Sequence, residues 1–306
     1  MKGKIAVTPR SLSRQGHPAL QALTRLGYEV IFPTPGRQPT CDELAAFLPD
    51  CVGYLAGVEP IPAAVLARCH NLKVISRNGV GVDNVDLVAA QAMGIVVEKA
   101  AGANARGVAE LAITLMLAGL RHVPWSDQQL KQGGWSRQEG IEVSGRTLGV
   151  VGCGQIGKYV VQMALGLGMR VRGYDMFPDP TFALSGDFSY VTLNELLRES
   201  DVVSLHCPPA EHPLIDAAAI DRMKTGAYLV NTARAALVED EAVLQALKTG
   251  KLRGFATDVY DREPPKLTPL LCHERVIATP HAGGLTEESI ERATEAAVRN
   301  LLNVLE

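Results

Sequence analysis

Short apolar runs alternate with longer amphipathic segments along the whole 306-residue chain. Apolar runs bounded by Gly, Pro, Asn or Asp predict buried parallel strands, and the segments between them predict helices. In the first third of the chain, strands are predicted at 4–8, 29–32, 53–55, 73–76 and 95–97, and helices at 18–26, 42–48, 63–69 and 85–93. A second alternating run begins near Thr147. The pattern therefore predicts an α/β fold with two doubly wound parallel-sheet domains in succession.

A glycine-rich turn, Gly-Cys-Gly-Gln-Ile-Gly at 152–157, follows the apolar run 147–151 and precedes a stretch long enough for a helix. This strand–turn–helix context is the one in which such a motif binds a dinucleotide. Gly152 allows the tight turn, Gly154 lets a pyrophosphate approach the backbone, and Gly157 lets the helix pack closely on the strand. The phosphates would lie against the free N–H groups at the helix start. A glycine-rich turn with a purely structural role is the alternative interpretation.

An acidic residue follows the next predicted strand. This strand, at 169–174, ends at Asp175, eighteen residues after Gly157. A carboxylate at about this spacing binds the ribose hydroxyls of NAD. The residues at 176–178 include neither Arg nor Lys, and the carboxylate would repel a 2′-phosphate. The sequence therefore favours NAD over NADP.

Three polar side chains in the second half of the chain, Arg234, Glu263 and His281, each come after a short apolar run that predicts a strand. Ligands bind at the carboxyl ends of parallel strands, so these side chains are candidates for one site. Reduction of a 2-keto acid needs a cation that holds the carboxylate and polarises the carbonyl, and the planar fork of Arg234 suits that role. It also needs a proton donor that works near neutral pH, which suits His281. The carboxylate of Glu263 would hold the imidazole and favour its charged form.

Each of these three residues also has a structural interpretation. Arg234 could form a surface ion pair, His281 could cap or pack a turn, and Glu263, which precedes two prolines, could be a turn residue. Their order behind a dinucleotide-binding turn favours catalysis. The chemistry that this set predicts is hydride transfer to or from a small anionic substrate.

Further segments carry a resemblance to one family. The stretches Arg-Asn-Gly-Val-Gly-Val-Asp-Asn-Val-Asp at 77–86 and Gly-Arg-Thr-Leu-Gly at 145–149 are two of them, and the segments around the three polar residues are the others. The chain resembles the NAD-dependent D-2-hydroxyacid dehydrogenases. Within them it is similar to the phosphoglycerate dehydrogenase-like branch without a C-terminal regulatory domain. The likeness covers nearly the whole chain.

The resemblance implies a flavodoxin-like substrate domain at 1–102 plus 285–306. It also implies a Rossmann NAD-binding domain at 103–284 that carries a dimerisation helix and arm. Arg234, Glu263 and His281 would be the catalytic set. The implied cofactor-binding residues are Gly152, Gly154, Gln155, Ile156, Gly157, Asp175, Cys207, Thr232, Ala233, Asp258, which would face the nicotinamide carboxamide, and Gly283. The implied substrate-binding residues are Asn78, Gly79, Val80 and Gly81, whose backbone N–H groups would hold the carboxylate, together with Arg234.

The chain departs from the family pattern where the substrate would be selected. Glu59 lies where phosphoglycerate enzymes carry an arginine for the substrate phosphate, and it would repel a phosphate if it faced the site. Ala235 and Ala236 stand where the family has two glycines. The substrate stays open between 3-phosphoglycerate, glyoxylate and hydroxypyruvate. An NAD-sensing, non-enzymatic corepressor-like protein and a formate- or phosphite-type dehydrogenase stay open as alternatives.

Composition narrows the environment and the partners. A net charge of −3 predicts neither a nucleic acid nor an anionic membrane surface as partner. The six cysteines are scattered without a Cys-x-x-Cys pair, and the histidines show no metal-ligand spacing, so neither disulfides nor a metal are expected. The N-terminal segment has the pattern of a strand and not of a signal peptide. These features predict a cytoplasmic protein.

The segment 109–120 is apolar almost all round but too short to span a bilayer. One interpretation is a buried core helix that bridges two domains. The other, which the resemblance favours, is that this helix and the arm at 125–135 form the interface of a homodimer. One helix could serve both purposes.

Overall fold

A computed structural model of the chain describes residues 2–182 and 186–306. Two units divide the chain: Met1–Asn104 with Gly284–Glu306, and Ala105–Gly283. The strands are β1 (Gly3–Val7), β2 (Tyr28–Ile31), β3 (Cys51–Ala56), β4 (Val74–Arg77), β5 (Val96–Lys99), β6 (Thr147–Val151), β7 (Arg170–Tyr174), β8 (Phe188–Tyr190), β9 (Val202–Leu205), β10 (Ala227–Asn231), β11 (Leu252–Thr257) and β12 (Val276–Ala278). The helices are α1 (Arg10–Ser13), α2 (Gln21–Arg25), α3 (Cys41–Phe47), α4 (Ala63–Leu66), α5 (Leu87–Ala92), α6 (Ala105–Leu120), α7 (Val123–Lys131), α8 (Gln155–Gly166), α9 (Leu193–Glu199), α10 (Ala217–Arg222), α11 (Asp240–Thr249) and α12 (Glu287–Leu305).

The first unit is built on a parallel sheet with the strand order β2-β1-β3-β4-β5. This is the flavodoxin-like order, so that prediction is confirmed. Helix α12 returns from the far end of the chain and packs against β3, β4 and β5. Its buried side chains, among them Ala297, Val298 and Leu301, join Ile5 and Val7 of β1 in one core.

The second unit is built on a parallel sheet with the strand order β12-β11-β10-β9-β6-β7-β8. From β8 to β11 this is the doubly wound order of a Rossmann domain, with β12 added beyond it. The predicted α/β class with two parallel sheets is therefore correct. The strand order changes direction between β6 and β9, and ligands bind outside the carboxyl ends of the strands at such a point.

Some predicted boundaries are wrong for identifiable reasons. The helix predicted at 18–26 begins as a 3₁₀ turn, Pro18–Leu20, and only then continues as α2. The helix predicted from Val85 begins at Leu87, because Asp86 caps it by accepting a hydrogen bond of 2.9 Å from the N–H of Ala89. Val85 instead pairs with Ile61 in an isolated parallel bridge. A capping carboxylate and a long-range bridge thus set this boundary, not local hydrophobicity.

Helix α6 is a core element of the second unit. Ala109, Ala112, Leu115 and Met116 are buried in the same core as the Val160 face of α8. The apolar segment is therefore buried in the core of this unit, as far as the core-helix interpretation concerns burial. A membrane-spanning helix, which needs greater length and more continuous hydrophobicity, does not occur in the parts of the chain that the structure describes.

Candidate active site

The glycine-rich turn allows a side chain at only one of its three glycines. Gly152 has φ +91°, and a Cβ there would lie 2.6 Å from the carbonyl carbon of His206. A Cβ at Gly157 would lie 2.0 Å from the carbonyl oxygen of Gly152. At Gly154 a Cβ would meet nothing within 4 Å, so this glycine opens the backbone to its surroundings. Space is thus left where a pyrophosphate would approach.

Helix α8 begins at Gln155, directly after this turn, and no side chain caps its start. The first N–H groups of a helix lack partners within the helix and carry the positive end of its dipole. Ile156 and Gly157 follow Gln155 in the first turn of α8. An uncapped helix start beside an open glycine is a site that suits the phosphates of a dinucleotide.

Asp175 lies at the carboxyl end of β7 and joins the turn. Its Oδ2 accepts a hydrogen bond of 2.7 Å from the N–H of Cys153, and its Oδ1 accepts one of 2.9 Å from the N–H of Phe177. An ionised carboxylate has about four acceptor positions, so it can still accept bonds from ribose hydroxyls.

Cys207 follows β9 and lies beside the glycine-rich turn. A Cβ at Gly152 would lie 2.7 Å from the backbone N of Cys207. Burial raises the pKa of the Cys207 thiol, which favours the neutral form.

The turn after β10 is shaped by Asn231. This buried side chain accepts a hydrogen bond of 3.0 Å from the N–H of Ala233 and donates one of 2.8 Å to the carbonyl of Arg234. The Nη1 of Arg234 donates to the carbonyl of Ala233 at 2.7 Å. The buried Thr232 hydroxyl has no hydrogen-bond partner among the described residues. Because a buried polar atom needs a partner, Thr232 fits a role in binding a ligand.

The buried carboxylate of Asp258 holds the loop that carries His281. It accepts hydrogen bonds from the hydroxyl of Thr279 at 2.6 Å, the N–H of Ala282 at 2.7 Å and the N–H of Gly283 at 2.8 Å. Asp258 is 2% exposed. Its own N–H donates to the carbonyl of Asn231 at 3.0 Å, which links the ends of β10 and β11. Residues predicted from three separate segments are thus joined at one edge of the sheet.

His281 and Glu263 form a direct pair. The Nδ1 of His281 lies 2.6 Å from Oε1 of Glu263, and the two side chains are 47% and 39% exposed. His281 has φ +53°, a conformation that is uncommon for a residue other than glycine. Its N–H donates to the carbonyl of Thr279 at 2.9 Å. With Nδ1 engaged by a carboxylate, Nε2 is the nitrogen left to exchange a proton with a substrate.

The predicted substrate loop follows β4 in the first unit. Asn78, Gly79, Val80 and Gly81 are half-buried there. The Arg77 side chain braces this loop, because its Nε donates to the carbonyl of Gly81 at 3.0 Å and its Nη1 donates to the carbonyl of Ala56 at 3.1 Å.

The carboxylate of Glu59 points into the first unit, whereas a residue that repels a substrate phosphate would have to point outward. It is 1% exposed and accepts hydrogen bonds from the hydroxyls of Thr8 and Tyr54 and, at 2.8 Å, from the N–H of Gly57. Burial, with the charge of Glu59 next, raises the pKa of Tyr54 well above its usual range. The sequence left the direction of Glu59 open, and its contacts lie inside the unit.

Several residues that support the site were not predicted. Asn231 and Thr279 lie close to Arg234 and His281 in the sequence, but the sequence assigns them no role. His206 follows β9 beside the turn, where its Nε2 lies 2.8 Å from the hydroxyl of Ser204 and its Nδ1 has no partner among the described residues. Burial lowers the pKa of His206 to about 3, so the imidazole is neutral at physiological pH. The one feature of the sequence that could have indicated these residues is a polar side chain at the end of an apolar strand.

No group of three or more His, Cys, Asp or Glu side chains in the described ranges could hold a metal ion. The site instead combines an uncapped helix start, a paired imidazole and a guanidinium at the carboxyl edge of one parallel sheet. That combination suits a site that binds a dinucleotide and places a proton-exchanging side chain near it.

The chain belongs to the D-isomer specific 2-hydroxyacid dehydrogenase family. The model of that family's NAD-binding domain matches residues 113–283. This match covers the glycine-rich turn, Asp175, Asp258 and the catalytic candidates, and it gives NAD as the cofactor of the domain. The resemblance inferred from the sequence motifs is confirmed.

Named relatives carry dehydrogenase and reductase activities. A D-3-phosphoglycerate dehydrogenase of Methanocaldococcus jannaschii is 43% identical over 79% of this chain and 47% of its own length. A hydroxypyruvate reductase of Thermotoga maritima is 37% identical over 86% of this chain and 88% of its own length. The chain spans about half the length of the curated phosphoglycerate dehydrogenases that it matches.

Solved structures share the fold of this chain. A protein from Thermus thermophilus superposes with a TM-score of 0.89 at 38% identity, covering 99% of this chain and 96% of that one. A D-lactate dehydrogenase from Aquifex aeolicus, solved with NAD and lactic acid, superposes with a TM-score of 0.81 at 29% identity, covering 96% and 93%.

The two glycines of the turn should respond differently to the same substitution. Gly157→Ala is expected to lower the free energy of unfolding by about 1–3 kcal/mol, because the methyl group would overlap backbone atoms. Gly154→Ala is expected to leave that free energy within about 0.5 kcal/mol of the wild type but to weaken NADH binding by about tenfold or more, because its methyl group fills the approach of the pyrophosphate. Urea unfolding and NADH fluorescence titration measure the two quantities. Equal effects of the two variants on both would contradict this assignment.

Proposed function

We propose that the chain is an NAD-dependent D-2-hydroxyacid dehydrogenase. It transfers hydride reversibly between NAD(H) and a small 2-keto or 2-hydroxy acid. The observation that carries the proposal is the 2.6 Å contact between His281 Nδ1 and Glu263 Oε1, on a loop that Asp258 anchors at the carboxyl edge of the NAD-binding sheet. An imidazole held in this way is a positioned acid and base.

In the proposed hydride transfer, Arg234, His281 and Glu263 each have a separate role. When bound, NADH supplies the hydride. The guanidinium of Arg234 binds the substrate carboxylate and polarises the keto oxygen. Protonated His281 donates its Nε2 proton to the keto oxygen as the alcohol forms. Glu263 stabilises the imidazolium and fixes the ring, and in the oxidation direction the neutral ring removes the hydroxyl proton.

Among the possible substrates we propose an unphosphorylated acid, glyoxylate or hydroxypyruvate. The segment 57–60 contains no Lys or Arg, and its one charged residue, Glu59, has its carboxylate turned into the unit. The guanidinium of Arg77 donates to two backbone carbonyls and braces the loop. The hydroxypyruvate reductase relative, which matches along most of both chains, supports the same choice.

We further propose that the protein works in the cytoplasm. The six cysteines all lie in the described ranges, and every one of them is a free thiol. Burial raises the pKa values of Cys51, Cys69 and Cys153, so these thiols are unreactive core side chains. A reducing compartment suits such a set.

Replacing the proton donor tests the proposed reaction. With the better of glyoxylate and hydroxypyruvate, His281→Ala should lower kcat by about 10²–10⁴-fold, the usual effect of losing a positioned acid or base. NADH consumption, followed by its absorbance, is the readout. His212→Ala, which removes an exposed histidine of the same unit, is the matched control and should keep wild-type kcat.

Two outcomes would reject this assignment. A His281→Ala variant with wild-type kcat would exclude His281 as the proton donor. Tight NADH binding without turnover of any 2-keto acid by the wild type would favour the NAD-sensing, non-enzymatic alternative.

Removing the carboxylate that holds His281 should slow the reaction. Glu263→Gln keeps the size of the side chain but removes the charged oxygen that lies 2.6 Å from Nδ1 of His281. We expect kcat in the reduction direction to fall by about tenfold or more, because the imidazole is no longer held in place for proton transfer. Asp261→Asn removes an exposed charge from the same loop and should keep wild-type kcat. Wild-type kcat for Glu263→Gln would make Glu263 a turn residue.

We also propose that the chain forms a homodimer through the segment 109–120 of α6 and the arm at 125–135, most of which lies in α7. Helix α7 buries none of its residues, and Leu130 and Trp135 are 59% and 82% exposed. Large apolar side chains that are exposed within one short segment are typical of an interface. Light scattering at micromolar concentration should give twice the chain mass of 32.7 kDa. Leu130→Glu should give monomers, whereas Gln91→Glu, which adds a charge at an exposed position of α5, should stay dimeric. A monomeric wild type would refute the proposal.

A further inference from the structure

A small cavity lies at the edge of the second sheet opposite to the glycine-rich turn. Its volume is about 110 Å³. It is lined by residues just before or at the amino ends of four adjacent strands: Arg146 before β6, Asp201 before β9, Lys224 to Ala227 at β10, and Arg253 in β11. All these strands are parallel, so the cavity and the proposed NAD site are at opposite ends of the same strands.

The charges that line this cavity do not cancel. Arg146, Lys224 and Arg253 are cations, and Asp201 is the single carboxylate among the lining residues. The Nζ of Lys224 lies 3.0 Å from Oδ1 of Asp201, and Nη1 of Arg146 lies 3.8 Å from the same oxygen. The Oδ2 of Asp201 accepts a hydrogen bond of 2.8 Å from the N–H of Thr147. The four charged side chains that line the cavity therefore carry a net positive charge.

Asp201 remains ionised in this setting. Burial acts to raise its pKa, but the hydrogen bonds from the Thr147 N–H and Lys224, with the nearby charge of Arg146, outweigh burial and hold the pKa below its usual range. The positive excess is therefore present at physiological pH even with Asp201 fully charged.

Arg253 is the side chain that this arrangement leaves unexplained. Its Nε is buried and has no hydrogen-bond partner, and Arg253 forms no ion pair with any residue that the structure describes. Leaving a charged donor buried without a partner is unfavourable, and in native proteins such an atom usually meets a water or an ion. Arg253 also presents a planar fork of donors, which matches the oxygens of phosphate.

We propose that this cavity is a binding site for a phosphate-class oxyanion, separate from the NAD site. The cavity holds roughly the space of a few water molecules and is much smaller than pockets for drug-sized ligands. A single tetrahedral oxyanion fits that size, accepts from Arg253 and balances the excess charge beside Lys224 and Arg146. The site stands on residues that take no part in the proposed hydride transfer.

Calorimetric titration of the full chain with sodium phosphate at low ionic strength tests this proposal. NADH is present at saturation, because the glycine-rich turn could itself bind phosphate. The wild type should bind one phosphate, and Arg253→Gln should weaken that binding by about tenfold or more, the usual effect of losing charge-assisted hydrogen bonds. Arg198→Gln makes the same change at an exposed position of α9 and should bind as the wild type does. Absence of phosphate binding to the wild type, or equal weakening in both variants, would overturn the proposal.

A second pair of variants keeps the test decisive if Arg253→Gln does not fold. Thr225 is exposed and lines the cavity, so substitutions there should not disturb the core. Thr225→Glu adds a carboxylate at the cavity and should also weaken phosphate binding by about tenfold or more, because it cancels part of the positive excess. Thr225→Gln has nearly the same size without the charge and should bind phosphate like the wild type. Equal phosphate affinity of the two Thr225 variants would refute the site.

Discussion

The arrangement of the candidate active site depends on the buried carboxylate of Asp258. A buried charge is unfavourable unless donors surround it, and its three donors all come from the segment 279–283. The carboxylate and the loop therefore stabilise each other. The N–H of Asp258 also donates to the carbonyl of Asn231, whose side chain shapes the turn of Arg234. One residue thus links the backbone of both catalytic candidates, through its carboxylate to the loop of His281 and through its N–H to the turn of Arg234.

This anchoring explains how His281 can be both strained and exposed. A left-handed backbone at a residue other than glycine costs free energy and persists where its surroundings fix it. Hydrogen bonds on both sides of His281, from Thr279 and Ala282, fix the backbone and leave the ring free to contact a ligand. Glu263 then restrains the ring at Nδ1. The loop contributes rigidity, while the partly exposed ring stays accessible for proton transfer.

The sequence was a good guide to local chemistry and a poor guide to long-range contacts. The glycines at 152, 154 and 157 could be assigned because their motif lies within one strand–turn–helix unit, whereas the backbone of His206 that excludes a side chain at Gly152 could not be predicted. The two parallel sheets followed from the alternating pattern. The bonds of Asp258 to a loop more than twenty residues away have no periodic signal, and neither has the positive φ of His281. The direction of Glu59 depends on Thr8 and Tyr54, which only the folded sheet brings near it.

The two ends of the second sheet offer different groups for binding an anion. At the carboxyl end, neutral N–H groups and an open glycine suit a pyrophosphate without any lysine or arginine in the turn itself. At the amino end, Arg146, Lys224 and Arg253 present full charges. The same strands, β6, β9, β10 and β11, carry both ends, and each is packed in a dense core that deforms little. An oxyanion bound at the amino end would therefore stabilise the folded unit, because it binds the folded state and not the unfolded one. It would change the affinity for NADH only if the strands had a second conformation to which NADH and the oxyanion bind with different affinities.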